Sequence, residues 1–484
     1  MPNEESAITD AVIEFILGTE ADSIPEDVKA ISRRCFVDGA GLMVAGSTDH
    51  SGRIVQAYIK EFGGEPEARI FGTDMTVPAQ TAAFANGVAA HAMDYDDTQL
   101  SSYPDRIYGL LTHPTTPVLA ASMAMAEALG STGEELLTAF MIGFEVECKV
   151  AECIKPDHYI KGFHTTGTIG AIGAAAAAAK LMDLDEGQLR FCMGIACSES
   201  AGLRANFGTM TKPFHAGRAA ENGVVAARLA GGGYTSDPGV FDGEWGFMQI
   251  MGGGCDPDYL VGKLGNPWSA VDPGVSIKPY PSGSLSHPSM DAMRDLILEH
   301  NIEADQVKKV RLGTTTRILQ PLRYDEPENE LEAKFSMKYS LGILLLNGGR
   351  GGIAQYRDDV VAQPEVKEVL EKIEPYVDEG VEAMGYDLIR SKLIIEMEDG
   401  TVHEKFTDTS RGSPKRPMDR EELYEKFTEC CGLVYDSDQI ARAEALLYKV
   451  DTLESIYTLI EMLGPRQDGE DQAGEDKDGE DQDA

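Results

Sequence analysis

The sequence predicts a mainly α protein, a large all-helical domain that carries an inserted α+β lid domain. Three observations lead there. Apolar residues recur at three- and four-residue spacing from Ile8 to about Gly265. Strand-like alternation and an Asp-Gly turn are confined to the stretch between Asn266-Pro267 and Pro414. Helical periodicity then resumes from Arg420 to Leu463, so the last helices return to the first domain and the middle unit is an insertion. The expected division is 1–268 helical, 269–414 lid, 415–463 returning helices and 464–484 a disordered acidic tail of Gly-Glu-Asp and Gln-Asp repeats.

Each element has a local reason. Pro25, Glu26 and Asp27 open a helix through Met43, with proline and acids in its first turn. Thr81 to Ala90 is almost wholly small and apolar and reads as a buried helix. Thr116-Pro117 opens another helix, to Leu129. Gly170 to Ala178 is alanine and glycine ending in Lys180, a central helix whose small side chains admit close neighbours. In the lid, Lys308 to Leu312 alternates as a strand. Lys392 to Met397 and Val402 to Phe406 form a hairpin around Asp399-Gly400. Helices are expected at Met290 to Glu299 and Pro364 to Ile373, then at Arg420 to Phe427 and Asp438 to Leu463.

The chain has 484 residues, 42% of them hydrophobic, more than one core organises. Its 81 acidic and 42 basic residues give a net charge of −39, which disfavours nucleic acid and anionic membrane surfaces as partners. The stretch from Asp468 to Ala484 accounts for a net −8 of this, leaving −31 on the rest. Self-repulsion on that scale is screened at molar salt, which points to a salt-rich cytoplasm. No run of ~20 apolar residues spans a membrane, and Met1 to Asp10 has acids and no base, unlike a targeting segment. The eight cysteines form no CxxC pair and are expected as reduced, buried thiols.

Four segments concentrate polar residues in apolar surroundings. The first is His91-Ala-Met-Asp94-Tyr-Asp96-Asp97-Thr98, at the end of a buried helix. Three carboxylates so close repel one another, so one is a candidate acid or base; a solvated loop or helix cap is the other reading. The second is Thr112-His113-Pro114, where His113 suits proton transfer or a structural role. The third, Gly162 to Thr168 with His164, reads as a helix-start anion site or as simple capping. The fourth pairs Gly208-Thr209-Met-Thr211-Lys212-Pro213-Phe-His215-Ala-Gly217-Arg218 with Ser276-Ile-Lys278-Pro279-Tyr280-Pro281-Ser282-Gly283. Two lysines and an arginine facing one cleft would hold a di- or tricarboxylate. No dinucleotide fingerprint, phosphate loop, serine-hydrolase elbow or zinc-protease motif is present.

Together, in this order, these segments resemble the MmgE/PrpD family, whose members include 2-methylcitrate dehydratases, cis-aconitate decarboxylases and iminodisuccinate epimerases. The likeness covers about residues 8–462. It implies an all-helical domain with an α+β lid, a homodimer, an active site in the cleft between domain and lid, and no metal or organic cofactor. It also implies Asp94, His113, His164 and the lid tyrosine Tyr339 as catalytic residues, and Thr98, Lys212 and Lys278 as substrate contacts. Two features depart from the pattern. Gln99 to Leu110 is a longer connection, which puts Arg106 or Tyr108 at the mouth of the site or displaces His113. The run Ser282-Gly-Ser-Leu-Ser-His287 matches no single named member. The implied chemistry is proton abstraction beside a carboxylate, with a dehydratase-type lyase favoured and decarboxylation or epimerisation on the same scaffold as alternatives. A non-catalytic carboxylate binder would instead leave Asp94, His113 and His164 apart in space.

Overall fold

In the computed structural model, residues 7–100 and 112–466 are described. The helical layer comprises α1 (Ala7–Gly18), α2 (Glu26–Ser47), α3 (His50–Lys60), α4 (Ala79–Ala92), α5 (Thr115–Leu129), α6 (Gly133–Cys153), α7 (Gly170–Leu181), α8 (Glu186–Ser198) and α9 (Thr211–Gly231). The alanine-rich α7 is buried between α5, α6 and α9, because methyl side chains let four helices share one axis region. Helices α4 and α9 meet backbone to backbone. A Cβ on Gly217 would stand 2.5 Å from the Phe84 carbonyl oxygen, so only glycine permits the approach. That contact brings the C-terminal end of α4 beside the first turn of α9.

The second unit contains α10 (His287–His300), α11 (Met337–Leu346), α12 (Pro364–Glu371) and a four-stranded sheet of β1 (Val307–Thr314), β2 (Ile373–Val377), β3 (Ser391–Met397) and β4 (Val402–Thr407). Its order is β2-β1-β3-β4, with β1 and β2 parallel and the other pairs antiparallel. The expected hairpin is β3–β4, turning at Asp399-Gly400 with Gly400 at φ 89°. The helix expected to reach Ile373 stops at Glu371. Ile373 instead enters the sheet opposite Val310, where its side chain is buried.

The chain returns through α13 (Arg420–Cys431), α14 (Ser437–Leu447) and α15 (Tyr457–Met462). The single long helix expected from Asp438 to Leu463 is broken. Leu453 O accepts from Gly133 N and Ile456 N donates to Ser131 O, so the chain bends to close the start of α6. One apolar core gathers residues from Ile8 to Ile277 together with Met418 to Leu463. The lid has two further cores, one of them running from Tyr280 to Met397 and taking in Phe207 of the helical part. None of the eight cysteines is joined in a disulfide. Among the described residues no helix is long and apolar enough to cross a membrane.

Candidate active site

The end of α4 builds the centre of the site. Just past Ala92 the chain turns through Asp94, which adopts the left-handed region (φ 49°) that aspartate tolerates better than most residues. Four residues on, Thr98 and Ser276 exchange backbone hydrogen bonds, Thr98 N to Ser276 O at 2.9 Å and Ser276 N to Thr98 O at 2.8 Å. This short bridge carries Lys278, two residues further, back to Asp94. From the other side, the first turn of α9 brings in Lys212.

Lys212 Nζ donates to Asp94 Oδ1 at 2.6 Å and Lys278 Nζ donates to the same oxygen at 3.1 Å. All three side chains are 5% exposed or less. Burial works to raise the Asp94 carboxyl, but the two ammonium groups outweigh it and hold the group well below the usual carboxylate range. The two lysines are not equivalent. Lys278 spends its three N–H groups on Asp94 Oδ1, Asp94 O (2.8 Å) and Ser282 O (3.1 Å). Lys212 spends two, on Asp94 Oδ1 and on His91 Nε2 at 2.8 Å, and keeps one for another acceptor.

An ammonium can only donate, so His91 Nε2 is an acceptor and its proton sits on Nδ1, which donates to Asp96 at 2.8 Å. Burial and the neighbouring Lys212 charge hold His91 neutral, down to about 3. Asp96 also accepts from the Thr116 hydroxyl at 2.7 Å and lies 3.2 Å from His113 Nδ1, without the alignment of a hydrogen bond. Asp97 faces away, accepting from the hydroxyl and backbone N–H of Thr115 at the start of α5. Burial, with Asp38 and Asp96 nearby, pushes it up to about 7. Of the three clustered carboxylates, one is therefore raised and two stay ionised. None lies in a solvated loop, because each is buried.

A cavity of about 50 Å³ opens on this group. Asp94, Thr98, His113, His164, Lys212 and Lys278 all line it, with Tyr159, Ser284 and the aromatic walls of Phe207 and Phe335. Among the described residues, three buried polar atoms have no hydrogen-bond partner there: Asp94 Oδ2, His113 Nδ1 and His164 Nε2. His164 is backed by His215, Nδ1 to Nδ1 at 3.0 Å. Burial and the charge of Lys212 lower both imidazoles, His215 to about 4. The hydroxyls after His164 brace neighbouring chain. Thr166 accepts from His113 N at 3.1 Å and Thr168 meets His158 at 2.8 Å, so this segment acts as scaffold around one imidazole.

One expected residue stands apart. Tyr339 belongs to a separate lid core, where its hydroxyl donates to Gln355 O at 2.6 Å; it does not line the cavity. Packing of α11 against α12 turns it inward to the lid. Arg106 and Tyr108 lie outside the described residues, as does the tail beyond residue 466. The sequence singles out Asp96 only as one of three candidate carboxylates, and His91 and His215 carry no assigned role there. His215 follows Lys212 by three positions on one helix, a spacing that places both on the same face and could have flagged it.

His91, Asp96 and His113 also bring donor atoms close enough to share a cation. The surroundings do not suit one. A metal on His91 Nδ1 would move the proton to Nε2, against the Lys212 ammonium 2.8 Å away.

Comparison with known proteins fits this arrangement. The MmgE/PrpD N-terminal domain model matches residues 10–260 and the MmgE/PrpD C-terminal domain model matches residues 280–451. Cis-aconitate decarboxylase of Homo sapiens is 28% identical over 474 residues, covering 95% of each chain. The Mus musculus protein of the same name is 28% identical, over 96% of this chain and 92% of its own. That of Aspergillus terreus is 27% identical, over 95% and 96%. The chain belongs to the MmgE/PrpD family.

Proposed function

We propose that this MmgE/PrpD family member is a lyase acting on a small polycarboxylate, with decarboxylation of cis-aconitate as the first reaction to test. One observation carries the reading: Lys212, with a donor to spare, lines one cavity together with His113 and His164, two buried imidazoles. Anion recognition and proton transfer thus share a single compartment. Full-length relatives named for cis-aconitate decarboxylation support that substrate as the starting point.

Lys212 holds a substrate carboxylate through its free donor. Lys278, with its donors engaged, holds Asp94 and adds positive potential. Burial lowers the proton affinity of both His113 and His164. An entering polyanion reverses that balance, because negative charge beside an imidazole raises its proton affinity. One of the two then delivers a proton to an alkene carbon while carbon dioxide leaves from the methylene carbon and the double bond shifts between them. One proton enters and one carbon dioxide departs, so the charges balance. The lysines stabilise the negative charge that develops on the remaining carboxylates. A six-carbon acid seated here would lie against Leu322 and Phe335 of the lid, which line the same cavity.

A second reading, loss of water from a hydroxy-tricarboxylate, is favoured by the Thr98 and Ser284 hydroxyls, 3.3 Å apart on the cavity wall. They would seat a substrate hydroxyl. Turnover of cis-aconitate and of 2-methylcitrate, followed by carbon dioxide release and by alkene absorbance, tests both. Carbon dioxide from the first supports decarboxylation. Alkene formation from the second without gas supports dehydration. Proton exchange into either without net loss points to an isomerase. No reaction with any member of a di- and tricarboxylate panel overturns the lyase reading.

A further inference from the structure

The backbone at the end of α4 presents three carbonyls that no helix bond uses, and each accepts from a different buried lysine. Lys334 of the lid donates to Ala92 O at 3.1 Å. Lys278 donates to Asp94 O at 2.8 Å and Lys426 of α13 donates to Tyr95 O at 2.8 Å. We propose that Lys334 and Lys426 are positioning residues that clasp this turn from the lid and from the returning helices, and so set Asp94 between Lys212 and Lys278. The inference rests on Asp94 belonging to the active site.

Neither lysine lines the small cavity, so neither touches the substrate in this arrangement. Both are nonetheless fully interior, at 3% and 5% exposure. Burying an ammonium is costly, and an apolar side chain of the same length would pack at least as well. Lys426 is balanced by Asp38 of α2 at 2.5 Å and lies 4.1 Å above the Tyr95 ring. Lys334 has no carboxylate within 4.0 Å among the described residues; it faces the negative end of the α4 dipole, with the Glu330 charge farther off. The helix end would ordinarily be closed by glycine or by water. Here the turn runs through a left-handed aspartate, which costs conformational energy and needs support from outside. The lysines supply it from two separate parts of the chain. Lid and C-terminal helices thereby both report to one carboxylate.

The test uses full-length Lys334→Met, Lys426→Met and the double variant Asp38→Asn/Lys426→Met, which avoids stranding the Asp38 carboxylate if Lys426→Met does not fold. Hydrogen exchange read by mass spectrometry over residues 92–98 reports the turn without any substrate. Exchange there should rise about tenfold, the effect of one lost charge-assisted hydrogen bond, with the α6 and α7 core unchanged. In the same folded variants kcat should fall about tenfold or more while KM moves less than about threefold, since the free donor of Lys212 is retained. Parent-level exchange over 92–98 in two folded variants overturns the proposal. If the parent turns over no carboxylate, the exchange measurement alone decides, and the failure belongs to the proposed reaction instead.

Discussion

Replacing Asp94 with asparagine removes a carboxylate that faces two buried ammonium groups, those of Lys212 and Lys278. Lys212 and Lys278 stand 2.6 and 3.1 Å from its Oδ1, and all three are interior. At an effective dielectric of about 20, each contact is worth about 5–6 kcal/mol before desolvation. Much of that repays the cost of bringing the charges inside. What the substitution exposes is the cost of stranding them, about 3–5 kcal/mol for a broken buried pair. Asp94→Asn should therefore lower unfolding stability by that amount in urea titrations at molar KCl. Lys278→Met should cost about 1–3 kcal/mol less in the Asp94→Asn background than in the parent, because it then also relieves a stranded charge. The pH dependence has a definite sign. The folded Asp94 group lies below its ordinary value, so its contribution is full above the unfolded value near ~3.9 and is lost as pH falls toward the folded value. The difference between parent and variant should be flat from pH 5 to 8 and shrink below pH ~4. A cost under about 1 kcal/mol, or additive effects of the two substitutions, would refute the claim that this carboxylate compensates both lysines.

Other outcomes follow from the same geometry. His164→Gln and His113→Ala should each leave the fold intact and cut turnover by ~10²-fold, a usual general acid–base contribution; unchanged kcat in either removes that imidazole from the reaction. Tyr339→Phe deletes only the bond to Gln355 O, so it should lower stability by about 1 kcal/mol and leave kcat within about twofold. Asp97 is raised to about 7, so the parent loses stability as pH rises from the unfolded value toward 7. Asp97→Asn should then gain on the parent by up to about 4 kcal/mol across that window and by no more above it, as followed by unfolding midpoints at successive pH values. Finally, a chain of net charge −39 should show a rising thermal midpoint as KCl goes from 0.1 to 3 M, where the screening length shrinks from ~10 Å to below ~3 Å; a falling midpoint would contradict salt adaptation.

Much of the fold was legible in local pattern. The alanine run of α7, the Asp-Gly hairpin and the Thr-Pro start of α5 each carry their own signal, because helix caps, turns and buried faces are decided by neighbours in sequence. The break between α14 and α15 was not legible, since it depends on Gly133 and Ser131 lying across from Leu453 and Ile456. The pairing of Ile373 with Val310 is likewise non-local.

The residue types of the site were likewise set by the sequence: aspartates after a buried helix, histidines before helix starts, and lysines beside prolines in a chain poor in cations. Only the tertiary structure decided how they divide the work. It left Lys212 with a donor and Lys278 with none, turned Tyr339 into a lid core, and made His91 and Asp96 part of the centre. Hydrogen-bonding capacity is spent in space, among groups far apart in the chain, so no reading of spacing along the sequence can say which donor remains free.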